Sequence, residues 1–202
     1  MNVVCIWDLL LFNQREGDPV NLYFKGGTSL SKAYDVIKRF SEDIDIGVYK
    51  ADIDAPLEKE IAEQGSVTKQ QRMLANKVDE AARTYISGPL RDQLLRKIEE
   101  IEVAIGEAGH FAVEYGYDAY RKRDALDILV VAYKSVFAGD IDYVQPAVRI
   151  EGGARPDPVP VETRTITPYI ASELSLANDL AVHGVTTVKP ESGPTSVSFR
   201  SF

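Results

Sequence analysis

The sequence is poor in the residues that form disulfides and zinc sites. It holds one cysteine, Cys5, and two histidines among 202 residues. A single cysteine excludes a disulfide within the chain and is typical of the reducing cytosol. His110 and His183 belong to no His-x-x-His or Cys/His spacing, which argues against zinc. The composition therefore predicts a cytoplasmic protein without a zinc centre.

The chain also lacks a hydrophobic run long enough to cross a bilayer. Its apolar segment Val3 to Phe12 contains Asp8, has no basic residues before it and is too short to span a membrane. We expect this segment to pack as a helix onto a sheet, and we expect no membrane partner.

Excess positive charge is absent as well, since the formal net charge is −8. This balance argues against bulk electrostatic binding of nucleic acid, although it leaves room for a local basic strip. The 45% hydrophobic and 27% charged residues are ordinary for a globular chain. The length predicts one domain over 1–190, with a helical insertion at about 57–107.

The most informative segment is the run Lys25-Gly26-Gly27-Thr28-Ser29, followed by Asp43-Ile44-Asp45. The preceding Asn21 to Phe24 is apolar and aromatic, which predicts a strand. Glycines without Cβ atoms let a bulky anion approach the backbone. Ser29 is a candidate N-cap for a helix over Leu30 to Phe40, and helix N-termini bind phosphate.

The aspartate pair has the pattern of a strand with one polar face. Residues two apart on a strand point the same way, so Asp43 and Asp45 project together. Neighbouring carboxylates repel unless a cation lies between them, and oxygen ligands of this kind suit Mg²⁺ or Mn²⁺. An isolated Gly-Gly-Thr-Ser is usually only a turn, and an isolated Asp-x-Asp a solvated edge. Their combination predicts a site for a metal and a triphosphate.

Further elements follow along the chain. A 3.6-residue apolar period predicts helices over Thr68 to Ile86, stopped by Ser87-Gly88-Pro89, and over Leu90 to Ile105. Alternating or β-branched runs predict strands over the ranges Leu126–Tyr133, Ala147–Glu151 and Glu162–Ile170, the last at a sheet edge.

The glycine and aspartate segments, Phe24–Tyr34 and Arg39–Ile46, closely resemble the AbiEii/AbiGii-type toxin family of the nucleotidyltransferase superfamily. The segments Val148–Arg155 and Thr165–Ile170 resemble the family's later strands. The resemblance implies an α+β minimal nucleotidyltransferase fold, a mixed β-sheet flanked by helices. It implies Mg²⁺ (or Mn²⁺) as cofactor and a nucleoside triphosphate as substrate. The nucleotide would pass to a tRNA or protein acceptor, and a cognate antitoxin would neutralise the toxin.

Spacing and resemblance together assign expected roles to individual residues. Asp43 and Asp45 would bind the metal and take part in catalysis, and Glu151 would be a third catalytic carboxylate acting as general base. The alternative for Glu151 is a strand-end carboxylate paired with Arg155. The triphosphate would be held by Gly26, Gly27, Thr28, Ser29 and Lys32.

The last residues, 191–202, depart from the family pattern. They are rich in Ser, Gly and Pro, and we expect them to form an irregular, disordered tail. We therefore expect the chain to be a member of this toxin family that is truncated at its C-terminus. This leaves two alternatives to an active toxin: a catalytically inactive remnant that binds NTP or antitoxin, and a small-molecule (antibiotic) nucleotidyltransferase.

Overall fold

The computed structural model describes residues 20–37, 43–53, 66–118, 123–134, 146–155, 160–167 and 181–190. Of residues 118, 123–127 and 155 it describes the backbone only. The expected N-terminal helix at Val3 to Phe12 and the irregular tail at 191–202 lie outside the described residues, as does the first part of the expected helical insertion.

The described residues form seven strands and three α-helices. In chain order they are β1 Leu22–Lys25, α1 Gly26–Lys32, β2 Asp43–Tyr49, α2 Val67–Tyr85, α3 Arg91–Ile105, β3 Phe111–Asp118, β4 Arg123–Tyr133, β5 Ala147–Arg155, β6 Val161–Ile166 and β7 Val182–Val188.

The strands join into one mixed sheet in the order β3-β4-β5-β2-β1-β7-β6. Strand β2 runs parallel to β5, and β1 runs parallel to β7, while the other neighbours are antiparallel. The predicted α+β class with a mixed sheet is confirmed. Strand β6 lies at one edge, as the sequence predicted for its segment.

The hydrophobic core lies on one face of the sheet, which we call the helix-covered face. Ile44 and Ile46 of β2 and Ile150 of β5 are fully buried there with residues of α2 and α3. At Gly152 of β5 this packing leaves no room for a side chain, because an added Cβ would collide with the Ile86 side chain. Strands β2 and β5 are hydrogen-bonded neighbours. Their register therefore also decides which residues lie side by side on the opposite face.

The helix expected over Leu30 to Phe40 is wrong in both its start and its end. Helix α1 begins at Gly26 and ends at Lys32, with Lys25 as its N-cap residue. Ser29 is therefore inside the helix, where its hydroxyl donates to the Gly26 carbonyl at 2.8 Å. The left-handed Asp35 (φ 51°) cannot continue a right-handed helix.

The expected stop at Ser87-Gly88-Pro89 is also wrong, because the chain stays helical through it. A π-helical turn, Ile86–Leu90, contains Pro89 and joins α2 directly to α3. A proline in a helix lacks one backbone N–H donor, and its ring crowds the carbonyl of the residue four positions earlier. The wider π turn accommodates both effects. The turn places Ile86 and Leu90 in the core, where both are buried.

The other predicted elements are confirmed with shifted ends. The strands near Asn21, Asp43, Leu126, Ala147 and Glu162 all form, as do both long helices. Strands β3 and β7 were missed. In β3, Glu114 and Gly116 interrupt a run of apolar and aromatic residues. In β7, His183 and Gly184 interrupt the β-branched run.

Candidate active site

The glycine turn and the second aspartate are in direct contact. Gly26 has φ +73°, a left-handed conformation that favours glycine. A Cβ added at Gly26 would collide with the Asp45 carboxylate. The absence of a side chain at Gly26 is therefore what lets the turn lie against the aspartate strand.

The hydroxyls of Thr28 and Ser29 both donate to backbone carbonyls at this turn. The Thr28 hydroxyl donates to the Asp43 backbone carbonyl at 2.7 Å, and the Ser29 hydroxyl donates to the Gly26 carbonyl. Thr28 and Ser29 are both buried. A phosphate oxygen needs a donor, and each hydroxyl already donates its proton inside the protein. In this structure Thr28 therefore joins the turn to β2, whereas Ser29 bonds within α1.

The acidic residues share one face of the sheet, which we call the site face. Asp43 and Asp45 alternate with Ile44 and Ile46, so they point away from the helix-covered face. In the parallel pairing of β2 with β5, Asp45 lies opposite Glu151. The three predicted catalytic carboxylates are thus brought to neighbouring positions of two central strands.

Two cationic side chains occupy the same face. Lys25 of β1 lies opposite Asp45, on the side away from Glu151. Its ammonium reaches across the sheet, to 3.8 Å from the point where a Cβ of Gly153 would stand. Arg149 lies opposite Asp43 on β5 and is fully buried. Sequence reasoning missed Arg149, although one signal could have found it: Arg149 precedes Glu151 by two residues in a predicted strand.

Lys32 is the predicted phosphate ligand in the last turn of α1. Its side chain is half-buried, and burial lowers the pKa of its ammonium group below the ordinary value. An anion next to Lys32 would favour the charged form and reverse that shift, which suits a contact with phosphate.

Within the described residues, no three His, Cys, Asp or Glu side chains converge closely enough to enclose a metal ion. Magnesium is commonly held by one or two carboxylates together with substrate phosphates and water, not by a cage of protein ligands. Asp43 and Asp45, on one face beside the glycine turn, supply such a pair of hard oxygen donors. The donor chemistry of the site therefore fits Mg²⁺ or Mn²⁺.

A comparison with protein families bears on this geometry. Residues 9–192 match the family model described as nucleotidyl transferase AbiEii toxin, type IV toxin–antitoxin system. The chain belongs to the AbiEii family. The match includes the glycine turn, the aspartate strand β2 and Glu151 on β5, so the predicted family is confirmed.

Other comparisons give no further relatives of this AbiEii protein. No curated protein and no solved structure matches significantly. In the part of the chain that the structure describes, no helix has the length and hydropathy needed to cross a membrane.

Proposed function

We propose that this AbiEii protein transfers a nucleoside monophosphate from a nucleoside triphosphate to an acceptor, a tRNA or a protein. The observation that carries this proposal is the contact of Gly26 with the Asp45 carboxylate, beside Glu151 on the next strand. A turn that an anion can approach and a pair of metal-binding carboxylates are then parts of one surface. Both are needed to bind and activate a triphosphate.

The residues have distinct roles in this proposal. The backbone around Gly26 and Gly27 binds the triphosphate, since a helix N-terminus offers N–H groups that lack partners within the helix. Lys32 contributes a positive charge near the phosphates. Thr28 and Ser29 keep the turn in place through their hydroxyl bonds.

Asp43 and Asp45 are the proposed ligands of Mg²⁺ or Mn²⁺, with Glu151 at their side. The metal, when bound, neutralises the phosphate charge and stabilises the leaving pyrophosphate. Glu151 accepts the proton of the acceptor hydroxyl as that oxygen forms its bond to the α-phosphorus. The products are the nucleotidylated acceptor and pyrophosphate.

The family description assigns its toxins to a type IV toxin–antitoxin system. We propose by extension that a cognate antitoxin counteracts this chain in the cell. Expressing the chain alone should arrest growth of a bacterial host, and co-expression of the cognate antitoxin should restore it. Unimpaired growth with normal protein levels would argue against the toxin role.

Labelled nucleotide transfer tests the proposed reaction. Each of the four NTPs, labelled at the α-phosphate, is incubated with Mg²⁺, bulk tRNA and the protein. Asp45→Asn should lower the rate on the order of 10³-fold, because it removes a charge that acts in the transition state. Asp52→Asn is the matched control, since Asp52 lies beyond the end of β2 and its carboxylate accepts hydrogen bonds from Asn21 at 2.8 Å.

The result also separates transfer from binding. Equal rates in native protein and Asp45→Asn would overturn the metal assignment. Binding of Mg·NTP without any labelled product, with tRNA or with total cell protein as acceptor, would replace transfer by a nucleotide-binding role.

A further inference from the structure

Arg149 is a charged side chain with no exposure to solvent. Its relative exposure is 0%, and it is among the largest fully buried side chains of the described residues. Its guanidinium has interaction partners, and none of its nitrogens is a buried atom without a hydrogen bond. A buried guanidinium is strongly destabilising unless anions compensate it. The charge of Arg149 therefore requires anionic side chains close to its guanidinium.

The sheet register limits the candidates. On the β4 side, the site-face neighbour of Arg149 is Val130, and the next residue along that face is Ile128, so both are apolar. On its own strand the site-face neighbours are Ala147 and Glu151. On the β2 side Arg149 lies opposite Asp43. Among these described neighbours, charge is found only on Asp43 and Glu151.

We propose that Arg149 is a positioning residue, the buried counter-charge that holds Asp43 and Glu151 on the site face. This inference rests on the proposed function for its catalytic consequence. The planar guanidinium has five donors in a fixed fork and can bond to two carboxylates at once. Because the side chain is fully buried, it acts through the carboxylates and does not contact the nucleotide.

A stability cycle tests the pairing without any substrate. Arg149→Met leaves the carboxylates uncompensated and should raise the unfolding equilibrium constant on the order of 100-fold or more. Adding Asp43→Asn to Arg149→Met should then raise the melting temperature above that of Arg149→Met alone. In the native background the same Asp43→Asn change should lower it. The reversal of sign identifies the pair.

A matched control uses Asp52, a carboxylate that does not lie beside Arg149 in the sheet register. Asp52→Asn should not raise the melting temperature in the Arg149→Met background, because Asp52 bonds to Asn21. A double variant Asp43→Asn/Arg149→Met no more stable than Arg149→Met overturns the proposal, as does an equal rescue by Asp52→Asn.

If Arg149→Met does not fold, Arg149→Lys takes its place. Lysine keeps the charge but loses the fork, so it pairs less strongly. Asp43→Asn should then cost less stability in Arg149→Lys than in the native background. Equal costs in the two backgrounds overturn the pairing.

The catalytic consequence is measured with Arg149→Lys. The kcat of transfer should fall about 10- to 100-fold, as for other residues that orient metal ligands. The KM for the NTP should stay within about threefold, because the contacts that bind the ground state and the transition state equally are unaffected. A raised KM with unchanged kcat would show that Arg149 binds the nucleotide, and would overturn the positioning role. If the native protein shows no transfer, the proposed function fails while the stability cycle still decides the pairing.

Discussion

The two faces of strands β2 and β5 carry different kinds of side chain on the same backbone. The helix-covered face carries Ile44, Ile46 and Ile150, all fully buried against the helices. The site face of the same strands carries Asp43, Asp45, Arg149 and Glu151. Because alternate residues of a strand point to opposite faces, one short segment can serve both stability and chemistry.

Two adjacent glycines show the same division. An added Cβ at Gly152 would collide with Ile86 in the core, whereas among the described residues one at Gly153 would meet the Lys25 ammonium, at 3.8 Å. The first glycine permits helix packing, and the second leaves room beside the carboxylates. Neighbouring, chemically identical residues therefore have different surroundings, the packed core on one face and the carboxylate-bearing site face on the other.

Gly26→Ala should give the largest effect on the site face. The new methyl group displaces the Asp45 carboxylate, and a displacement of about 1 Å can cost 10²-fold in rate. We therefore expect transfer to fall by about 10²-fold or more in the labelled-nucleotide assay.

Gly184→Ala is the matched control for Gly26→Ala. Gly184 also has positive φ, at +80°, but no atom of the described residues lies within 4 Å of its added Cβ. Both variants should lose about 1–2 kcal/mol of unfolding free energy from backbone strain. Only Gly26→Ala should lose activity, and equal activities would show that the contact with Asp45 has no catalytic importance.

Gly152→Ala and Gly153→Ala separate the two faces directly. Overpacking against Ile86 should lower the unfolding free energy of Gly152→Ala by about 1–3 kcal/mol in urea denaturation. Gly153→Ala should change it by less than about 0.5 kcal/mol.

Ile86→Ala provides the check on that interpretation. Alone it leaves a cavity in the core and should cost about 2–5 kcal/mol. Combined with Gly152→Ala, the loss should be smaller than the sum, because the added methyl group occupies part of the cavity. Additive losses would mean that Gly152 and Ile86 do not share that space.

Thr28→Val tests the bond between the turn and the aspartate strand. It preserves the shape of Thr28 but removes the buried hydroxyl that donates to the Asp43 carbonyl at 2.7 Å. Leaving that carbonyl without its donor should lower the unfolding free energy by about 1–3 kcal/mol. Thr28→Ser keeps the donor and should recover most of the loss, and a Ser variant as unstable as Val would assign the effect to packing.

Glu102→Gln should have the smallest effect on stability among these variants, because Glu102 lies in α3 and not on β2 or β5. The backbone N–H groups of Phe111 and Gly109 both donate to the Glu102 carboxylate at 2.9 Å and lower its pKa. A carboxyl whose pKa is lower in the folded state stabilises the fold above its unfolded pKa. That stabilisation is lost as pH falls through the folded pKa.

We therefore expect Glu102→Gln to be less stable than the native chain at pH 7, with the difference closing as the pH falls below about 4. Glu80→Gln is the control. Glu80 pairs with Lys77 on an exposed helix surface, so its contribution should be screened by added salt. A difference at Glu102 that is independent of pH would show that the carboxylate charge has no role there.

The sequence predicted much of this arrangement because its signals are local. Alternation from Asp43 to Val48 predicted which residues of β2 share a face. The apolar period predicted that the segments of α2 and α3 are helical. The helix after the glycine turn was placed wrongly, because the Ser29 hydroxyl bonds inside α1 and the left-handed Asp35 breaks the helix early. Strand β7 was missed because its pairing with β1 and β6, not its own pattern, makes it a strand.

By itself, the sequence determined the identity of the glycine turn, the spacing of the aspartates and the family of the chain. Only the tertiary structure decided what stands beside them. The parallel register of β2 with β5 sets Glu151 opposite Asp45 and the buried Arg149 opposite Asp43, across about 100 residues of chain. Strand pairing is a long-range contact that no local pattern specifies, since a shift of one residue would send every side chain of the strand to the other face.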